Sequence, residues 1–530
     1  MGNRAWKHWV VASILAAALW AAGSSKAEEE AQPKTFNSSV PFDVYAVIGE
    51  ERELVGTTPS EQPLTIPPCQ WWYVESQPPV DIEKVRQEVE AQGIPGLKLR
   101  DATDADLEHL RGLTALRQLD LGWDTRVTEA GLQHLEGLTR LQYLDLSLIY
   151  VTDAGLEHLK GLTALQTLNL TGTHVTDAGP EHLKALTALQ HLDLWGTQVT
   201  DAGLGHLKGL ARLQGLSLWN TQVTDAGLEQ LEGLTGLQYL DLRDTQVTGA
   251  GLEHLAGLTA IRRLDLAYTQ VTDAGLEHLK GLTALQELNL SGTKVTDVGL
   301  VQLKGLTALQ RLDLAYTHVT GPGLEHLKGL TGLQHLDLWG TRVTRAGLVH
   351  LKGMTALEEL NLAATRATDA GLVHLKGLTG LRRLDLLDTQ VTDAGLQHLK
   401  GLTALEELSI AETQVTDAGL EHLKGMTALQ ELNVAGTRVT DAGLAHLKGL
   451  NALRHLYLAY TQVTDAGLDH LKGMTALQEL DLAETRVTDA GLVHLEGLTG
   501  LQSLSLNGTK VTAAGVEQLK KSLPNAEVWR

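Results

Sequence analysis

The sequence predicts an α/β solenoid in which short units, each a strand followed by a short helix, stack so that their strands lie side by side in a parallel sheet. Three observations carry this. An L-x-x-L-x-L pattern occurs 17 times, from Leu116 to Leu501, in steps of 24 residues after a first step of 25. Within each unit the apolar spacing changes from two to three or four residues, the change expected on passing from strand to helix. The ten residues VTDAGLEHLK stand unaltered at 151–160, 271–280 and 415–424.

The unit at 285–308 shows the logic. Leu288 and Leu290 alternate with Glu287, Asn289 and Ser291, as in a half-buried strand. Thr296 and Asp297 then begin a short helix, with Leu300 and Leu303 on its inner face and Leu306 closing the turn toward the next strand. A segment of 24 residues cannot hide these leucines alone. Stacking against neighbours can, which is why such units come in long arrays. The glycine of the repeated DAG costs about 1 kcal/mol relative to alanine inside a helix, so tight packing against the next turn is expected there.

The flanks differ from the array. Residues 1–27 read as a cleaved secretory signal, with Arg4 and Lys7 before the apolar run from Trp9 to Gly23. That run is shorter than the roughly 20 residues a membrane span requires, so no stable membrane insertion is expected after cleavage. Residues 28–79 are Pro-rich and carry the β-type runs FDVYAVI and WWYV, which predict a small β-rich unit. Residues 80–115 are expected to cap the array, beginning with a helix to Gln92 that places Ile82, Val85 and Val89 on one face and stops at Gly93. The repeats occupy 116–522, and residues 523–530 are expected to add a final capping strand.

The repeated pattern from about Ile94 to the C-terminus resembles the leucine-rich repeat family, and its VTDAGL segments are similar to the ribonuclease-inhibitor-like and cysteine-containing classes. The resemblance implies a curved right-handed solenoid with a concave parallel β-sheet and short helices on the convex side. One departure is systematic. Where the family has Asn or Cys after the strand, this sequence has Thr173, Thr197, Thr221 and so on to Thr509, except for Ile149. A threonine hydroxyl can bond backbone in the bend, so a threonine ladder is expected there.

Composition narrows the function. A net charge of -21 with no basic patch opposes nucleic-acid binding, and the single Cys69 excludes an internal disulfide or a thiol-rich metal site. Fifteen of the 21 histidines share one helix-side position, from His109 to His494. Adjacent helices lie about 8 to 10 Å apart, too far for simple zinc sharing, and Gln takes the position at 230, 302 and 518, so a structural role is expected. No cofactor or metal is expected. Phosphate-loop, nucleophile-elbow and HExxH motifs are missing from the sequence, which points away from an enzyme.

Specificity should reside in the strand residues that vary. A central column holds nine aspartates, among them Asp193, Asp241 and Asp337. A solvated polar face, a cationic protein partner and bound calcium are the three readings of that row. A second column alternates in sign through Arg263, Glu287, Arg311, His335, Glu359, Arg383 and Glu407, which suits cross-strand pairing. The third column is mostly alanine, and against it Trp195, Trp219 and Arg243 stand on consecutive strands. His191, Tyr239, Arg263 and Tyr268 are expected to flank them, with Gly215 leaving a dent and Arg243 positioned for a cation–π contact with Trp219. Tyr316, His335, Asp337 and Trp339 form a second candidate cluster. The expected function is an exported protein-interaction scaffold using an acidic concave face. The alternatives are a cell-envelope or surface spacer and a carbohydrate-binding module.

Overall fold

The computed structural model describes residues 34–48 and 51–530, so the expected signal segment lies outside the described residues. The chain forms two compact units that divide after Asp265. Among the described residues no helix is long and apolar enough to cross a membrane.

In the first unit, the Pro-rich segment is built from β1 (Lys34–Phe36), β2 (Phe42–Ile48), β3 (Glu51–Thr58), β4 (Leu64–Ile66) and β5 (Trp71–Ser76). β1 pairs antiparallel with β4, while β2 runs antiparallel between β3 and β5. In WWYV, Trp72, Tyr73 and Val74 are all buried, and Trp72 meets Phe36 with ring centroids 5.3 Å apart. Helix α1 (Ile82–Gln92) follows, capped by Asp81 and ended by Gly93 at φ 62°, with Ile82, Val85 and Val89 buried. The expected β-rich segment is not separate from the array. β5 pairs in parallel with β6 (Gly96–Lys98), which pairs with β7 (Gln118–Asp120), so the segment supplies the edge on which the repeat sheet begins.

From β7 onward each repeat contributes a three-residue strand in register with the next, such as His191–Asp193 beside Gly215–Ser217. The strand leucines and the helix-side leucines are almost all fully buried, for example Leu192, Leu194, Leu204 and Leu207. Each such side chain contributes about 1.5–3 kcal/mol of apolar burial, and a single turn is too small to bury it without its neighbours. The second unit repeats the scheme from Glu287–Asn289 to Ser503–Ser505. It closes with a helix at Ala513–Ser522 and a parallel strand at Glu527–Trp529.

Two recurring details decide the corner of each turn. The threonine after the strand donates its hydroxyl to the carbonyl three residues back, as in Thr197 Oγ1 to Leu194 O at 2.7 Å and Thr317 Oγ1 to Leu314 O at 2.6 Å. Each therefore closes its own turn, and the ladder between turns is made by other groups. Those groups are the aspartate of VTDAG and the threonine of the following VTDAG. Asp201 accepts from Thr224 N–H at 2.7 Å and from its hydroxyl at 2.6 Å, and Asp441 does the same for Thr464 at 2.7 Å each. The carboxylate fills the space beside the next glycine. A Cβ on Gly227 would lie 2.4 Å from Asp201 Oδ1. The DAG glycine is thus required by the preceding turn and not by the next one.

Candidate functional site

On the open face of the first unit's sheet, the residues flanking each buried strand leucine form rows in register across the strands. Trp195, Trp219 and Arg243 occupy one row. The two indoles stack with centroids 4.1 Å apart and planes 4° apart, and the Arg243 guanidinium lies 4.1 Å over the Trp219 ring. Trp219 Nε1–H donates to Asp244 at 2.9 Å. Arg243 donates through Nε and Nη2 to the buried Asp241 at 3.0 and 2.5 Å, and its Nε lies 3.4 Å from Asp265. Burial opposes the charge of Arg243, but these two carboxylates outweigh it and hold the guanidinium above its ordinary pKa. The stack is therefore anchored along its Arg243 end.

Beside the stack is a shallow trough ended by Tyr143 and Tyr239, on strands four apart, hence about 19 Å from one another along the sheet. Its deep part has a volume of about 20 Å³ and is open along the surface. His191 and Asp193 form its centre, with Asn169 and Ser217 on the adjacent strands. Each tyrosine hydroxyl donates to the aspartate two residues on, Tyr143 to Asp145 at 3.2 Å and Tyr239 to Asp241 at 3.1 Å. The dent expected at Gly215 is filled. The His191 ring lies over that residue, where a Cβ would come within 2.5 Å of Nδ1, so glycine there makes room for the imidazole. Burial pushes His191 down to about 4, leaving it neutral near pH 7.

Asp193 is half-buried. Its Oδ1 accepts the Trp195 N–H at 2.9 Å. Burial raises its carboxyl to about 6, and the hydrogen bonds from Trp195, Thr171 and Ser217 oppose that rise. The same bond to the residue two further on recurs along the central column, from Ala315 N–H to Asp313 and from Ala363 N–H to Asn361. Carboxylate or amide in this column thus supports the backbone after the strand, whatever else it meets.

Of the remaining expected residues, Arg263 stands opposite Tyr239 on the next strand. Tyr268 belongs to the second unit, has a positive φ of 57°, and lays its ring over Gly292, where a Cβ would meet Cδ1 at 2.5 Å. The second unit also holds the other cluster. Tyr316 packs on Trp339 with centroids 4.8 Å apart, Trp339 N–H bonds Asp337 at 2.8 Å, and His335 lies 2.8 Å from Glu359. Opposite charges pair along the alternating column, with Arg383 2.9 Å from Glu407.

Two groups on the first unit's face lie outside the expected set. Tyr143 is legible as the only aromatic between Gln118 and Tyr239 in its row. Trp71 of β5 extends the aromatic surface, approaching Tyr143 at 6.3 Å, while the buried Tyr73 stacks on Tyr45 at 5.2 Å. The run WWYV announces a strand, but not that β5 joins the repeat sheet.

Some of the helix-side histidines meet carboxylates, as in His158 with Glu136 and His254 with Glu232, both at 2.7 Å. Among the described residues no three His, Cys, Asp or Glu side chains converge to hold a metal ion.

A family profile for leucine-rich repeat regions matches residues 99–350 and 246–527. No curated protein sequence matches. Among solved structures, an internalin of Listeria monocytogenes is 24% identical, with 71% of this chain and 93% of that one covered at a TM-score of 0.47. A leucine-rich repeat protein of Leptospira interrogans is 21% identical over 80% and 91% of the two chains, with a TM-score of 0.42. The Arabidopsis receptor kinase HAESA, solved with the peptide hormone IDA and the co-receptor SERK1, is 17% identical over 83% and 77%, with a TM-score of 0.44. The family match runs across the whole repeat array, whose strands, buried leucines and one-turn helices have the architecture of a protein-interaction scaffold, and the chain belongs to the leucine-rich repeat family.

Proposed function

We propose that this chain is an exported protein-interaction scaffold that receives a partner protein on the acidic, concave face of its sheet, centred on Trp195, Trp219 and Arg243. The observation that carries the reading is the stack itself. Two half-buried indoles and a guanidinium are held in one orientation by Asp241, Asp244 and Asp265, so little side-chain freedom remains to be lost on binding. Trp and Arg in such rigid groups dominate protein-binding hot spots. Export rests on the sequence of residues 1–27. Arrest of the full chain in the cytoplasm would remove that part of the proposal.

The same geometry favours protein over sugar. A sugar ring stacks on an open indole face, yet Trp219 lies between Trp195 and Arg243. The spacer alternative needs no such group. Affinity capture from the host's envelope and medium, using the chain and its Trp195→Ala/Trp219→Ala variant, separates these readings. The expected result is at least one captured protein that the variant loses while its far-UV spectrum is unchanged. An identical set of captured proteins would remove the assigned face, and selective binding to a glycan array would favour the carbohydrate reading.

A further inference from the structure

We propose that the trough over Asp193 receives the ε-ammonium of a lysine side chain from the partner protein. This rests on the protein-binding reading above and names the chemistry of one contact within it. Charge compensation along the central row is uneven. Asp241 is held by Arg243, and Asp120 lies 3.6 Å from Lys98. Asp193 meets neutral donors alone: the Trp195 N–H and the hydroxyls of Thr171 and Ser217. Asp145, one strand beyond Asn169, likewise meets the Tyr143 hydroxyl, the Asn169 amide and the Ser147 N–H. The described cations on either side, Lys98 and Arg243, pair with other carboxylates, and the Trp195, Thr171 and Ser217 donors to Asp193 are neutral.

Size selects among cations. The deep part of the open trough has about 20 Å³, room for roughly one water-sized group. A primary ammonium has about that size, whereas a planar guanidinium or a sugar ring is larger and would lie nearer the rim. An ammonium also needs up to three acceptors. Asp193 stands between Asn169 and Ser217 of the two neighbouring strands, and all three residues border the trough, so a carboxylate, an amide oxygen and a hydroxyl oxygen are the acceptor types at hand. A lysine stem is long enough to place its charge at this depth while its methylenes remain near the surface.

The test uses labelled hexalysine and hexaarginine peptides, the full chain, and its Asp193→Asn and Glu229→Gln variants in 0.15 M salt. Asn169 and Asn361 accept the same backbone bond in this row, so Asp193→Asn preserves the local fold. Glu229 is an exposed residue of the helix Asp225–Glu229, so its variant removes one charge elsewhere in the same unit. Hexalysine is expected to bind the unaltered chain more tightly than hexaarginine. Asp193→Asn is expected to weaken hexalysine binding about tenfold, with Glu229→Gln within about twofold. Equal losses in the two variants would reduce the effect to diffuse charge, and a preference for arginine would contradict the size argument. If partner capture still requires Trp195 and Trp219 while hexalysine is indifferent to Asp193→Asn, the lysine assignment falls and the protein-binding reading stands.

Discussion

Asp177 accepts two hydrogen bonds from Thr200 of the following repeat, one from its N–H and one from its hydroxyl, each at 2.7 Å. The same carboxylate takes the Gly203 N–H at 3.0 Å. Thr200 is the N-cap of the helix Asp201–Leu204, so each helix start is positioned by the preceding turn. The relationship couples neighbours through polar groups, in addition to the leucine contacts, and it repeats in both units.

Removing it should be costly where it exists and cheap where it does not. Thr200→Val deletes one charge-assisted bond and a cap, and should destabilise the fold by about 1–3 kcal/mol. Thr344 provides the comparison, because Gly321 stands where the partner aspartate would be and the Thr344 side chain makes no capping bond. Thr344→Val should change stability by less than about 0.5 kcal/mol. Urea unfolding followed by circular dichroism reads both, and equal effects would show that the carboxylate contributes nothing.

Gly203→Ala tests the steric half of the same arrangement. Alanine is the better helix former by about 1 kcal/mol, but its Cβ would lie 2.8 Å from Asp177 Oδ1 and 3.0 Å from Val199 Cγ1. The substitution should therefore destabilise by about 1–3 kcal/mol. With Asp177→Ala already present, the added cost of Gly203→Ala should be visibly smaller, since contacting residues are not additive. Additive losses in the double variant would locate the clash elsewhere.

The leucine period made the array legible because burial in a stack repeats as strictly as the sequence does. The Asp–Thr pair was less visible. Thr and Asp adjoin in sequence and read as one helix start, whereas the bond joins the Asp of one turn to the Thr of the next. Gly215 misled for a related reason. A glycine suggests a hollow, but its cross-strand neighbour His191 is large enough to fill it. The junction of β5 with β6 was not legible at all, since a single pairing between unlike segments leaves no period to detect.

Arg243 has a structural duty that any binding experiment must separate from recognition. Its guanidinium satisfies Asp241, which is 1% exposed. Arg243→Met should destabilise by about 3 kcal/mol because it strands a buried carboxylate. Asp241→Asn combined with Arg243→Met should recover much of that loss, as Asn433 shows that an amide accepts the same backbone bond in this row. A double variant no more stable than Arg243→Met in thermal or urea unfolding would contradict the pairing. For this reason the tryptophan variants test the proposed interface more cleanly than any change at Arg243.

The carboxyl of Asp193 also gives the fold a defined pH response. Its pKa is raised by burial from an ordinary 3.8 to about 6, so the native state holds the proton more tightly than the unfolded chain. The resulting stabilisation is complete below about pH 4 and is lost as pH rises through about 6. Asp193→Asn stays neutral throughout and keeps the backbone bond. Its stability relative to the unaltered chain should rise between pH 4.5 and pH 8, by about 2 kcal/mol or less given that the group is half-buried. His350, His398 and His422 oppose this trend in both proteins, since burial, followed by nearby lysines, lowers their pKa values and removes stability as pH falls. Their contribution cancels in the difference. Paired urea titrations at the two pH values measure it, and a difference independent of pH, or one that shrinks as pH rises, would show that Asp193 ionises in the native state as freely as in the unfolded chain.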